Sequence, residues 1–173
     1  MTIEINKSTK FDKDGLAFEL FLKQNNITKS ADFCHFKKED ALKGEIMNNG
    51  IYYELKELNP RTYDKDFKYD INDDYNSENG SAMVEREPLN ISQEDIQKLI
   101  NKSYKKKAKN LQSSDKCELI IWYFSARQNY YQTTNTMYRT VLNVDTDISK
   151  YEASGFQKLH FVDMGDLQTG EHC

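Results

Sequence analysis

The chain predicts a mixed α/β layer fold, and three features carry that expectation. Two segments space their apolar residues as amphipathic helices do. CELIIWYF, residues 117–124, is apolar on both alternations, as a strand covered on both faces must be. The expected elements run helix, strands, helix, strand and further strands, an order that builds a central mixed sheet flanked by helices.

Residues 12–25 form the first predicted helix, with Asp12 or Asp14 available as its cap and Leu16, Ala17, Leu20 and Phe21 on one face. SADFCHF, around residues 30–36, is a short candidate strand. After the polar connection KKEDALKG, a strand over Glu45–Met47 is expected to end at the turn Asn48-Asn49-Gly50. Asn-Gly between two extended runs is a strong hairpin signal, so residues 51–58 read as the return strand.

Residues 59–88 are rich in Asp, Asn and Tyr and lack periodicity, giving one domain over 1–173 with an irregular acidic loop at about 59–90. A loop of that length is functional or partly disordered. Its acids Asp64, Asp66, Asp70, Asp73 and Asp74 lack the regular spacing of a calcium loop and read as solvated. The second helix is expected over 92–111, with Ser92 as cap, Glu94 and Asp95 in its first turn and lysines near its end. Its inner face is Ile96, Leu99, Ile100, Tyr104 and Ala108. Residues 130–144 supply one or two more strands and residues 156–163 the last.

With 173 residues, 38% hydrophobic content and a net charge of −4, the chain suits one domain and not a strongly basic nucleic-acid coat. Eleven Tyr and nine Phe supply the core that the low aliphatic content withholds. Three scattered cysteines, Cys34, Cys117 and Cys173, offer no CxxC zinc pair and fit a reducing compartment. No apolar run reaches the ~18–20 residues of a membrane span. The expectation is a soluble, cytoplasmic protein.

A possible site begins on the return strand. Alternation puts Ile51, Tyr53 and Leu55 on one face and Tyr52, Glu54, Lys56 and Leu58 on the other. A carboxylate and an ammonium placed together on a strand are costly to bury without further partners, and a divalent cation shared by Glu54 and a second acid would supply one. Asp32 is the expected second acid. Sharing a magnesium ion requires its nearest oxygen to come within about 3–4 Å of Glu54. Lys56 would then serve the water nucleophile, and Glu19 on the first helix could add another acid. The alternative is that Glu54 and Lys56 are the wet face of an edge strand and Asp32 is a turn acid.

Ala31-Asp32-Phe33, followed by Glu54-Leu55-Lys56 at the end of a β-run, resembles the PD-(D/E)xK nuclease superfamily over roughly residues 12–124. The resemblance implies a restriction-endonuclease-like core of a helix, three strands, a helix and a strand, and magnesium-dependent hydrolysis of DNA, with manganese as a substitute. It implies Asp32 and Glu54 as metal ligands, Lys56 as the residue serving water and Glu19 as the accessory acid. Ala31 stands where proline is usual. The Gln-x-x-x-Tyr element of some exonuclease branches is missing, since Gln128 is followed four residues on by Gln132.

Lys102, Lys105, Lys106, Lys107 and Lys109 could track a phosphate backbone or complete a soluble helix end. Arg127 and Arg139, with Tyr130, Tyr131 and Tyr138, could clamp nucleotides or belong to the core. The leading expectation is a DNA endonuclease, plausibly a homodimer. The other is a non-catalytic nuclease-fold protein that binds or inhibits a protein or nucleic-acid partner.

Overall fold

The computed structural model describes residues 2–4, 10–63, 82–131 and 135–171. Its helices are α1 (Lys10–Gln24), the short α2 (Pro60–Tyr63) and α3 (Gln93–Ala108). One mixed sheet is formed by β2 (Cys34–His35), β3 (Ile46–Asn48), β4 (Ile51–Glu57), β7 (Lys116–Tyr123) and β10 (Leu159–Asp163), in the order β10-β7-β4-β3-β2. The other contains β1 (Thr2–Glu4), β5 (Ala82–Glu85), β6 (Leu89–Ile91), β8 (Ala126–Tyr131), β9 (Thr136–Val144) and β11 (Asp166–Glu171).

In the first sheet, β2, β3 and β4 form an antiparallel meander. The chain then crosses through α3 to β7, which pairs with β4 in parallel, and β10 adds in parallel beyond it. The β3–β4 turn places Asn49 at φ 53° and Gly50 at φ 72°. Two successive positive-φ residues make the tight turn whose twist suits a hairpin, which is why Asn-Gly predicts it.

Alternation along β4, β7 and β10 divides the core in two. Tyr53, Leu55, Ile120, Trp122 and Val162 pack with Ala17, Phe18, Phe21 and Leu22 of α1. Leu58, Leu119, Ile121 and Leu159 pack with Ile96 and Ile100 of α3. Every residue of β7 after Lys116 is buried, as its apolar run requires. The helices therefore cover opposite faces of one sheet.

The two sheets are joined through their strands. β7 runs through Phe124 and Ser125 into β8, and β10 runs through Met164 and Gly165 into β11. The parallel pair β7–β10 thus continues as the parallel pair β8–β11. Gly165 makes one bend at φ 79°, its N–H donating to Asp163 Oδ1 at 2.8 Å.

Several expectations shift. On α1 the buried stripe is Asp14, Ala17, Phe18, Phe21 and Leu22, while Leu16 is 45% exposed because it falls off the i, i+3, i+4, i+7 spacing. The expected strand at 30–36 contracts to Cys34–His35, since Ser30 and Asp32 turn to bind the β3–β4 hairpin. On α3 Ser92 caps as expected, accepting from Asp95 N at 3.1 Å, but Ala108 is exposed. The supposed irregular loop contains α2, β5 and β6, whose strands acquire order only by pairing with distant β9. The acids Asp64, Asp66, Asp70, Asp73 and Asp74 lie outside the described residues. Among the described residues no helix is long and apolar enough to cross a membrane.

Candidate functional site

Glu54 occupies the middle of β4 on the face turned toward α3, and only 1% of it is exposed. Two ammonium groups hold its carboxylate: Lys56 Nζ lies 2.8 Å from Oε1 and Lys107 Nζ 3.1 Å from Oε2. Lys107, on α3, also donates to the Ala41 carbonyl. Oε2 is buried and accepts no hydrogen bond, so Lys107 meets it as a charge without bonding geometry. Cys117 on β7 shares this interior. Its thiol is pushed up to about 12, first by burial and then by the Glu54 charge, which makes it an inert core group.

Asp32 does not join Glu54. It is exposed and accepts from Asn49 N at 2.8 Å, Gly50 N at 2.7 Å and the Ser30 hydroxyl. Ser30 first, then the turn amides, hold its carboxyl below the usual range. Glu54 lies four residues beyond Gly50, roughly 13 Å along an extended strand. Asp32 is a turn lock, because two outward amides and a neighbouring hydroxyl satisfy a carboxylate locally at no burial cost. Glu19 is likewise exposed and pairs with Lys29 on the outer side of α1.

Two other acids approach Glu54's strand. Glu45 closes the start of β3: its N–H donates to Tyr53 O at 2.8 Å, and its Oε2 accepts from Leu55 N at 3.2 Å. Leu55 is the residue between Glu54 and Lys56. Behind Glu45 lies Asp14, 3% exposed, whose Oδ1 accepts from Trp122 Nε1 at 2.8 Å. Lys10 Nζ bridges the pair, 2.7 Å from Asp14 Oδ2 and 3.0 Å from Glu45 Oε1.

The electrostatics of this pair follow from its numbers. One ammonium cannot neutralise two carboxylates. Burial raises both carboxyls, the Asp14 charge raises Glu45 further, and Lys10 and Lys56 oppose that rise. Lys10 is raised despite its burial, because Glu45 and Asp14 favour its charged form. Lys10 faces Asp14 and Glu45, and Lys56 and Lys107 face Glu54, two groups of charges that approach β4 separately.

Sequence reasoning missed Asp14 and Glu45 as site residues, reading one as a helix cap and the other as strand. A signal existed: Glu45 precedes β3, which pairs antiparallel with Ile51–Tyr53 just before Glu54, and Lys10 and Asp14 are spaced i, i+4.

Among the described residues no group of three or more His, Cys, Asp or Glu side chains is placed to hold a metal ion. Asp32 is held at the β3–β4 turn, away from Glu54. Glu45 and Glu54 are both carboxylates, the donor type magnesium takes; Glu45 meets β4 at the Leu55 amide, and Glu54 Oε2 faces Lys107.

The expected nucleic-acid contacts divide. Lys102, Lys105 and Lys106 are exposed on α3, and Lys109 is exposed just past its end. Arg127 is turned inward: its Nη2 lies 2.9 Å from Glu57 Oε1 and its guanidinium 5.5 Å from the Phe124 ring centroid, tying the second sheet to the end of β4. A separate open hollow of about 540 Å³ lies at the ends of β7 and β10, lined in part by Asn90, Tyr123, Asp145 and Asp163. Its acids are engaged, Asp145 by Lys150 and Gln93 and Asp163 by Gly165 N.

Compared with protein-family models, curated proteins and solved structures, the chain gives no match in any of the three.

Proposed function

We propose that the chain is a metal-dependent nuclease on a restriction-endonuclease-like core, hydrolysing DNA phosphodiesters, with Glu45 in the place first expected of Asp32. The contact that carries this reading is the Glu45 carboxylate on the Leu55 amide, which brings an acid from just before β3 onto the Glu54-Leu55-Lys56 strand. The sheet order β2-β3-β4-β7-β10, with α1 and α3 on opposite faces, agrees with such a core.

In this reading Glu45 and Glu54 hold magnesium or manganese, which when bound supplies a polarised phosphate and an activated water. Lys56 orients the nucleophile and offsets charge on the phosphate. Asp14 sits behind Glu45, and Lys10 holds the two together until the ion arrives. Exposed Lys102, Lys105, Lys106 and Lys109 provide sequence-independent attraction to the DNA backbone. Double-strand cutting needs two sites, which points to a homodimer. Free Cys34 and Cys117 suit a cytoplasmic setting.

One observation favours a second reading, a non-catalytic nuclease-fold protein that binds or inhibits a partner. Glu54 is already neutralised by two ammoniums and shielded from water. Plasmid and linear DNA incubated with magnesium or manganese, with and without chelator, separate the two. Under the nuclease reading the wild type and Asp32→Asn cleave, while Glu45→Gln, Glu54→Gln and Lys56→Ala do not. Cleavage that survives chelator and Lys56→Ala refutes the mechanism. A wild type that cleaves no nucleic acid with either ion leaves the binding reading.

A further inference from the structure

We propose that the hollow at the ends of β7 and β10 binds a neutral, hydroxyl-rich ring, a pentose or hexose unit. The site is separate from the Glu54 carboxylate. Glu54 lies beside Leu119 in the β4–β7 register, and Tyr123 is four residues further along, roughly 13 Å on an extended strand. Buried Ile91, Tyr123 and Leu142 form an apolar base. Exposed Asn90, Asn143 and Asp163 form a polar rim.

The rim holds its own members in place and still leaves valences over. Asn143 Nδ2 donates to Asn90 Oδ1 at 2.8 Å, which leaves the Asn90 amino group and Asn143 Oδ1 for a ligand. Asp163 Oδ1 accepts from Gly165 N at 2.8 Å, and Oδ2 has no partner among the described residues. Tyr123 is only 7% exposed, yet its hydroxyl bonds to no described residue. A tyrosine buried to that depth ordinarily finds a partner for its hydroxyl. Burial first, then the Asp163 charge, push that hydroxyl up to about 12, so it stays protonated and able to donate.

Charge and polarity select the ligand class. Among the described residues no lysine or arginine lines the hollow, whereas Asp145 and Asp163 both do. Lys150 answers Asp145 at 2.7 Å, and no described cation answers Asp163. A phosphate or carboxylate ligand would therefore meet an uncompensated like charge. An ammonium could use Asp163 and Asn143 Oδ1 but would oppose the Asn90 amino group, donor against donor. A sugar hydroxyl donates and accepts, so it matches the amide pair, the carboxylate and the tyrosine together. Its C–H face suits the apolar base. The volume of about 540 Å³ falls in the ~300–1,000 Å³ range of small-molecule sites.

Ribose, glucose, uridine and uridine monophosphate are titrated into the full chain, with saturation-transfer NMR detecting contact and calorimetry reading affinity. At least one of the three neutral probes should bind in the millimolar range or tighter, and the monophosphate should bind more weakly than uridine. Uridine bound about tenfold tighter than ribose assigns the sugar of a nucleoside, and ribose or glucose bound as tightly as uridine assigns a free sugar. Tyr123→Phe keeps the ring and drops the hydroxyl, while Asp163→Asn keeps an acceptor for Gly165 N. Each should weaken binding about fivefold, the worth of one hydrogen bond. Should Tyr123→Phe fail to fold, Asp163→Asn decides, since that side chain is exposed. Absence of binding by all three neutral probes overturns the proposal. So does equal affinity in wild type and Asp163→Asn, or a monophosphate that binds more tightly than uridine.

Discussion

Replacing Glu54 by Gln tests the electrostatic heart of the site. The substitution keeps the shape of the side chain and deletes one negative charge between two ammoniums. Removing one partner of a buried ion pair costs about 3–5 kcal/mol, because the remaining charge stays desolvated. Lys56 and Lys107 keep 23% and 14% of their side-chain exposure, so both can partly turn to water and the lower end applies. The expected loss is about 3 kcal/mol, a large share of the ~5–15 kcal/mol that holds a domain folded. Urea unfolding followed by far-UV circular dichroism measures it. Adding Lys107→Gln to Glu54→Gln should restore about 1–2 kcal/mol, since the double variant no longer confines two like charges. A loss below about 1 kcal/mol, or strict additivity of the two substitutions, would refute the claim that Glu54 is an ion-paired carboxylate in the interior.

Trp122→Phe deletes the buried indole N–H on Asp14 and should cost about 2–4 kcal/mol, combining a lost hydrogen bond to a charged group with a small cavity; urea midpoints read it. Gly155→Ala would place a Cβ 1.9 Å from Tyr104 Cζ, and the ring's edge-to-face packing on Phe156 limits its retreat. About 1–3 kcal/mol of overpacking should appear in the same assay. Asp14 and Glu45 have carboxyls raised above the unfolded range, so the folded state holds their protons more tightly. Their contribution to stability is therefore fullest below the ordinary carboxyl range and falls as pH rises through the window above about 4. The Asp14→Asn, Glu45→Gln double variant should flatten that part of the pH profile, and an unchanged slope would count against the raised values.

The parts of the fold readable beforehand depend on local chemistry. Asn49-Gly50 accepts two positive-φ residues, Ser92 caps α3, and CELIIWYF can only be a strand buried on both faces. Period-two alternation placed Glu54 and Lys56 together on β4. The short strands β5 and β6 were not readable. Neither has a strong pattern, and each is ordered by β9, about fifty residues away in sequence.

What the chain alone determined is the identity of the strand that carries Glu54 and Lys56, because side-chain direction on a strand is a property of each residue's position. Which acid approaches that strand was a tertiary decision. Asp32 found two amides and a hydroxyl within its own turn and stayed in water. Glu45 lay where β3 begins beside β4, and the Leu55 amide there drew its carboxylate in. Lys107 reached Glu54 only because α3 folds back over the sheet. Spacing along a chain lists the charges available, but their pairing is settled by which backbone groups and which buried charges the packed sheet leaves to be satisfied.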